Sequence, residues 1–497
     1  MNSHKKAFFA KMNENFVALT YDDVRLRTAR SDYSTSQVST DSKFSRNVPL
    51  KVPIVSAPMD TVTTSDMAIT MAKHGGLGII HAGLSIKEQL HEVKRVKLHL
   101  NGLIASPICV DDTQTVRDVL KMCEEKKYEF RTFPIVNADK KLVGLLTQND
   151  IKHCKDKTDT VTSAMTPLSQ IKSGRPDVDV NRAYNLMSEH KKNTLPLLNP
   201  DGTVAGLYIW SDVQRILEGN AGLYNVDKNG RLLVGAAVPT NDSALERIAA
   251  MIDYLDVVVL DTADGDSKYA FKYAKKIKQE FPGLDLVVGN ITERNSARDL
   301  AILGVDGLRV GQGPSAICTT RPEIGIGCPQ VTAINETVEG VEEAAKTDKK
   351  YRIPVCADGG INNRGDISIA IAARANSVMI GTKLAGTDES PGEIIEHYDG
   401  RKVKKHRGMG SPGALKDSSA ARERYGGMVD DDELPLAEGI ETEVPYQGSA
   451  ARVLKDYTKA LRKSMSYVGS KDIETHRQET RFWRITNAGL RESHTRV

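Results

Sequence analysis

The sequence predicts an α/β fold, a (β/α)8 TIM barrel interrupted by an internally duplicated insert, and three observations predict it. Eight short apolar, β-branched runs alternate with amphipathic stretches. The polar residues tied to those runs gather at their C-terminal ends. Between the second and third runs lie about 150 residues, too many for one connecting loop, and they contain one motif twice.

The runs are Val52–Ser56, Leu77–His81, Leu232–Val238, Val257–Asp261, Leu286–Asn290, Gly307–Gly311, Val355–Asp358 and Val378–Gly381. Each lacks a polar alternation, as a parallel strand buried on both faces does. Segments such as Lys268–Phe281 and Glu293–Leu303 carry charges on one side and read as the covering helices. That alternation fits a barrel or a doubly wound sheet. His81, Asp261, Asn290, Gly311, Asp358 and Gly381 all end a run, which is the catalytic rim of a barrel. An open sheet would gather such groups at one switch point.

The barrel is expected over residues 1–100 and 224–497, with the insert over 101–223. TFPIVNADKKLVGLLTQND (Thr132–Asp150) aligns with TLPLLNPDGTVAGLYIWSD (Thr194–Asp212), so that Pro134 and Pro196, Gly144 and Gly206, and Asp150 and Asp212 are each 62 residues apart. Between the copies Val180–His190 has a helical pattern, and Asp201-Gly202 marks a turn in the second copy. Tyr398–Gly448 is glycine-rich and polar, includes RGMGSPGALKDSS and the acidic run Asp430–Glu433, and reads as a disordered surface excursion or a mobile lid.

Composition narrows the function. Lys plus Arg number 68 and Asp plus Glu 65, and a net charge of only +3 argues against a surface that tracks nucleic-acid phosphates. Aromatics at 5% disfavour a base-stacking platform, and 40% apolar residues exclude general disorder. Cys109, Cys123, Cys154, Cys318, Cys328 and Cys356 include no CxxC pair, which argues against zinc or a disulfide framework and for a reducing compartment. Cys109, Cys123 and Cys154 read as small buried hydrophobes. The N-terminus lacks the apolar stretch of a secretory signal, and no run reaches the ~18 apolar residues of a membrane helix. A cytoplasmic protein is expected.

The chemistry concentrates in GQGPSAICTTRPEIGIGCPQ, Gly311–Gln330, which starts where a strand ends. Gly311-x-Gly313-x-x-Ala316 loosely fits a dinucleotide fingerprint, but no following helix and no acidic residue about 20 positions on are expected, and that reading is rejected. Cys318, on a glycine-flanked loop beside Arg321, whose charge favours a thiolate, is the candidate nucleophile.

CTTR after a Gly-Pro turn, with VSAPMDTVT, GGLGIIH, DGGI, LAGTDESPGE, RGMGS and VPYQG, resembles the IMP dehydrogenase family, including its sister activity GMP reductase, from about Leu19 onward. The duplicated insert resembles a tandem CBS (Bateman) pair. The resemblance implies NAD-dependent oxidation of IMP to XMP: Cys318 attacks carbon 2 of the purine, hydride passes to NAD, and water hydrolyses the covalent thioimidate after the lid closes. It implies Arg424-Tyr425 in the lid as a dyad with Arg424 as general base, and Thr320 with Glu438 as an alternative proton path. For substrate it implies Ala316, Asp358, Gly360, Gly381, Thr382, His406, Met409, Gly410 and Glu438. For NAD it implies Asp261, Asn290 and Arg309. A potassium ion is implied on the carbonyls of Gly313, Ser315 and Cys318, completed by Glu492, Ser493 and His494 of a neighbouring subunit in a homotetramer or octamer. A purine nucleotide between the CBS repeats, near Asp150 and Asp212, is a further implication beside a purely scaffolding role.

The chain departs from the family pattern in places. Ser315-Ala316 stands where Gly-Ser is usual, Thr382 for a serine, and His406 for a tyrosine, though a histidine still donates to phosphate. Asp264 and Asp266 add negative charge near the expected NAD site. GMP reductase, using NADPH and releasing ammonia, is the alternative, and Arg424-Tyr425 weighs against it because a reductase hydrolyses no thioimidate. A catalytically weak barrel sensing nucleotides through its insert is a third reading.

Overall fold

Uninterrupted β-branched runs form strands only where both faces are covered, and here they close on one another. In the computed structural model, which describes residues 1–99, 103–104, 107–125, 132–218, 223–426 and 434–493, eight parallel strands make a closed barrel. They are β1 (Ile54–Ser56), β2 (Leu77–Ile80), β3 (Gly235–Val238), β4 (Val257–Asp261), β5 (Asp285–Ile291), β6 (Gly307–Val310), β7 (Val355–Asp358) and β8 (Ser377–Ile380). The register closes where β8 meets β1, with Val378 beside Ile54 and Ile380 beside Ser56. On the other side of the gap in sequence, β2 pairs with β3 through Ile79 and Gly235.

The barrel interior is a packed core of Val55, Leu77, Ile79, Val257, Val259, Val287, Cys356 and Met379, joined by Phe44, Val48 and Leu50. The last three belong to a hairpin, Ser42–Lys43 with Pro49–Leu50. The Phe44 carbonyl lies 3.0 Å from where a Cβ on Gly307, the first residue of β6, would sit. This hairpin therefore plugs the N-terminal end, and the chemistry is left to the opposite rim.

The chain divides into two compact units, Met1–Lys97 with Leu223–Val497, and Leu98–Gly222. In the second unit each copy of the repeat folds as two antiparallel strands and a helix. The first copy has Phe133–Val136, Leu142–Leu146 and helix Gln148–His153. The second has Thr194–Leu198, Val204–Ile209 and helix Trp210–Glu218. Each copy has its own core, one around Phe133, Ile135 and Leu146, the other around Leu195, Leu197 and Tyr208. Asp150 spends a carboxylate oxygen on its own helix start, accepting from the Thr147 amide and hydroxyl at 2.8 and 2.7 Å.

Two expectations are corrected here. Of the cysteines read as buried hydrophobes, only Cys123 is buried; Cys109 is exposed and Cys154 half-buried. The polar region from Tyr398 is not an unstructured excursion. Lys402–Arg407 and Glu441–Pro445 pair in a three-stranded antiparallel sheet with Ile395–Glu396, and helices Pro412–Asp417 and Ser419–Gly426 follow the central strand. We call the two helices the flap; the acidic run Asp430–Glu433 lies outside the described residues. Among the described residues, no helix is long and apolar enough to cross a membrane.

Candidate active site

The loop after β6 needs glycine at its first step. Gly311 has φ +142°, and a Cβ there would fall 2.3 Å from the Asp358 carbonyl oxygen, so only glycine lets the β6 and β7 ends approach. Beyond that turn the loop is tied down by main-chain bonds. The Thr319 amide donates to the Glu438 carbonyl at 3.0 Å, and the Ile440 amide to the Ile317 carbonyl at 3.1 Å. Arg321, expected beside Cys318, is committed to loop carbonyls. Its Nε donates to the Gln312 carbonyl at 3.1 Å and its Nη2 to the Cys328 carbonyl at 2.6 Å, clamping the loop shut. A helix does follow the glycine turn, at Thr320–Ile324, but it is one short turn that begins beyond Cys318.

These ties place three side chains in a row. Cys318 Sγ lies 3.1 Å from Thr320 Oγ1, which donates to Glu438 Oε2 at 2.6 Å. With its only hydrogen given to Glu438, the Thr320 oxygen is left to accept from the thiol. Glu438, 9% exposed, is nearly removed from solvent.

Below this row lies a buried charge network. Arg309, 1% exposed, pairs with Asp261, and its Nε is 3.6 Å from Asp358. Asn290 Nδ2 donates to the Gly311 carbonyl at 2.6 Å and to Asp358 Oδ2 at 3.0 Å. From the flap, Arg424 pairs with the other Asp261 oxygen while its side chain is only 13% exposed. Burial alone would raise the Asp261 carboxyl, but the guanidinium groups of Arg309 and Arg424 hold it below the usual range. Burial likewise opposes the Arg424 charge, yet Asp261, Tyr425 and Asp358 hold it above even the ordinary arginine value. In this closed arrangement Arg424 is a cation, so its implied role as base requires Asp261 to release it. Burial pushes the Tyr425 phenol up.

One cavity collects most of the expected residues: Gly313, Ser315, Ala316, Cys318, Thr320, Asn290, Arg309, Asp358, Gly360, Gly381, Thr382, Met409, Arg424, Tyr425 and Glu438 all line it. Five of the other expected residues stand apart from its wall, and a sixth lies outside the described residues. Asp261 sits behind it on the two arginines. Gly410 backs Tyr425, where a Cβ would lie 2.9 Å from the ring. His406 is 1% exposed, with Nδ1 on the Thr61 hydroxyl at 2.8 Å. Glu492 and Ser493 end the last described helix, whose N-cap is Thr486; His494 lies outside the described residues. Asp264 and Asp266 are exposed and do not line the cavity. Sequence reasoning missed Met59, Ala263, Gln312 and Asn362 in the wall. Only Met59 and Gln312 carried a signal, one inside VSAPMDTVT and the other beside the glycine turn.

Comparison with known proteins agrees over nearly the whole chain. A family model for the IMP dehydrogenase / GMP reductase domain matches residues 18–496. The inosine-5'-monophosphate dehydrogenase of Aquifex aeolicus is 40% identical over 480 residues, covering 96% of this chain and 94% of that protein. That of Bacillus subtilis is 37% identical over 479 residues, covering 96% and 95%. Among solved structures, GMP reductase from Trypanosoma brucei in complex with guanosine 5'-monophosphate matches with a TM-score of 0.87 at 34% identity, covering 97% of this chain and 99% of that one. With a closed barrel, a rim cysteine and two such lines of similarity, the chain belongs to the IMP dehydrogenase / GMP reductase family.

Proposed function

We propose that this chain oxidises IMP to XMP with NAD+, the committed step of guanine nucleotide synthesis, through a covalent bond between Cys318 and the purine. One observation carries the reading: the Cys318–Thr320–Glu438 row and the Arg424–Tyr425 pair face one cavity. The row suits making and breaking a sulfur–carbon bond. The pair suits a step that needs a second, later-arriving set of groups, as hydrolysis of an adduct does.

The Cys318 proton moves to Thr320 as the Thr320 proton moves to Glu438, leaving a thiolate to bond to carbon 2 of the hypoxanthine ring. NAD+, which Asn290 and Arg309 would help to hold, would supply the acceptor for the hydride that leaves that carbon. Water then attacks the same carbon, the C–S bond breaks, and the thiol recovers its proton along the row. Two routes are open to the proton that water loses: through Thr320 to Glu438, or to Arg424 after it has left Asp261 and given its own proton to solvent. Asp358 and the Gly360 and Gly381 amides hold the ribose and phosphate, with the Thr382 hydroxyl beside them.

The wall fits a nicotinamide dinucleotide. Asn290 Oδ1 and Arg309 Nε are buried there without hydrogen-bond partners among the described residues, an acceptor and a donor suited to a carboxamide and a ribose. Asp261 is occupied by Arg424 in the closed flap, so the flap and the dinucleotide take turns at that carboxylate. A potassium ion fits the loop carbonyls too. Pro322 has no N–H, so the Cys318 carbonyl four residues earlier lacks its helical donor and stays open to a cation. A neighbouring subunit's Glu492, Ser493 and His494 would complete that site in a homotetramer or octamer.

The test is incubation with IMP and NAD+ while following NADH absorbance. NADH formation with XMP as product supports the reading. The second reading, GMP reductase, is favoured by the similarity to GMP reductase structures; NADPH oxidation on adding GMP, with no NADH from IMP, would put it first.

A further inference from the structure

We infer that Glu423 is a positioning residue that latches the flap onto the loop after β3, through Thr240 and Asn241, and so seats Arg424 on Asp261. The inference rests on the hydrolytic role proposed for the flap.

Neighbouring residues on a helix point about 100° apart, so Glu423 and Arg424 reach different walls. Arg424 goes to Asp261 at the end of β4. Glu423 goes to the next barrel loop, where Oε1 accepts from the Thr240 hydroxyl at 3.3 Å and Oε2 accepts from Asn241 Nδ2. The Asn241 side chain is pre-set for this, because its Oδ1 already accepts from the Ser243 amide at 2.9 Å, which turns its NH2 toward the flap. Nothing else in the catalytic cycle uses Glu423, Thr240 or Asn241.

The latch matters because few contacts tie the helix to the barrel. Helix Ser419–Gly426 contributes one fully buried apolar side chain, Ala421, to a cluster whose other buried members are Met409, Ala414 and Leu415, with Tyr425 packed half-buried against it. Arg422 Nη1 donates to the Leu415 and Lys416 carbonyls at 2.8 and 3.0 Å, which joins the two flap helices to each other and not to the barrel. Two adjacent polar anchors on different loops can fix the rotation of a helix this short, since each forbids the rotation the other allows. Losing the Glu423 anchor leaves Arg424 able to swing off Asp261 and Tyr425 off the Gly410 backbone. The nucleophile row, held by main-chain bonds, is untouched.

The experiment compares Glu423→Ala, Asn241→Ala and Glu423→Gln with the wild type in the full-length protein. A glutamine can accept from Asn241 with its oxygen and donate to Thr240 with its amide, so it is the rescuing change. With IMP and NAD+, both alanine variants should keep the first burst of NADH, lose about tenfold or more in steady-state turnover, and accumulate Cys318 adduct visible by mass spectrometry of quenched enzyme. The same variants should show a lower KM for NAD+, because the competing flap is loosened. Independently of activity, trypsin should cleave faster after Arg422 or Arg424 in both alanine variants, and at the wild-type rate in Glu423→Gln. Unchanged cleavage and no extra adduct in Glu423→Ala overturns the latch, as does a wild-type Asn241→Ala. If the wild type forms no NADH, the proposed reaction fails, while the cleavage pattern still judges the latch.

Discussion

The Cys318 loop and the flap helix face each other across one cavity, yet they are held by different means. The loop is stitched by backbone hydrogen bonds at Thr319 and Ile440 and clamped by Arg321 on two carbonyls. The flap is held by a few side-chain contacts, chiefly Arg424 on Asp261 and Glu423 on Thr240 and Asn241. Among the described residues its apolar cluster has four buried members, two of them alanines, against the roughly 1.5–3 kcal/mol that each large side chain of the barrel core supplies on burial. A backbone lattice keeps one geometry, whereas a pair of ions has an attached and a detached state. In the proposed reaction the nucleophile is therefore fixed, and the groups proposed to finish it are removable.

The largest effect should come from the fixed side. Cys318→Ala removes the only nucleophile of the row, and turnover should drop on the order of 10⁴-fold or more. Calorimetry should still detect IMP binding, since the cavity wall is otherwise intact. Residual turnover within tenfold of wild type would break the comparison at its root.

Next comes the removable side. Arg424→Gln should leave the NADH burst intact and slow adduct decay by ~10²–10⁴-fold, the usual worth of a positioned acid, base or charge in the transition state. Rapid-quench mass spectrometry separates the two phases. Equal loss of burst and decay would mean that loop and flap act in the same step, and the contrast between them would dissolve.

The same contrast explains what could be read from sequence. The barrel strands were legible because Val257–Asp261 or Val355–Asp358 carry their apolar residues without interruption, and the rim followed from where those runs ended. The flap sheet was not. In Lys402–Arg407, Val403, Lys404 and His406 are buried, and two of these three are polar. Lys404, 2% exposed, gives its Nζ to the Thr387 and Ser390 carbonyls at 2.9 and 2.7 Å. Hydropathy therefore reads an internal strand as a surface loop, and it gives no sign that His406, implied at phosphate by the resemblance, is buried with its Nδ1 on the Thr61 hydroxyl. The Arg321 clamp was not legible for a related reason: proximity in sequence to Cys318 says nothing about which carbonyls its five donors will find.

His406 also gives a test of the flap's root. Burial pushes its imidazole down to about 4, against an ordinary value near 6.5. Between those pH values the unfolded chain binds a proton that the folded one refuses, so stability falls as pH drops from about 6.5 to 4 and is level above. The gap sets a ceiling of ~3 kcal/mol on that loss. Thermal melts across this range should show it, and His406→Gln should flatten part of the acid limb. The loop carries no such buried histidine, so adduct formation should survive mild acid better than hydrolysis.

Glu438 sharpens the comparison most finely, because it touches both regions: its side chain ends the Cys318 row and its carbonyl pairs with the loop. Glu438→Gln removes the proton acceptor but keeps a hydrogen bond to Thr320. If Glu438 serves only as one of two parallel routes for the hydrolytic proton, its loss costs at most what the Arg424 route fails to cover, ~tenfold or less, and the penalty grows steeply in the Arg424→Gln background. If Glu438 instead draws the proton from Cys318, the NADH burst itself slows, and the Arg424 background changes nothing in that phase. Burst rates in the single and double variants decide between the two. Slowing confined to the burst assigns Glu438 wholly to the fixed half of the site; slowing confined to adduct decay assigns it to the half that opens and closes.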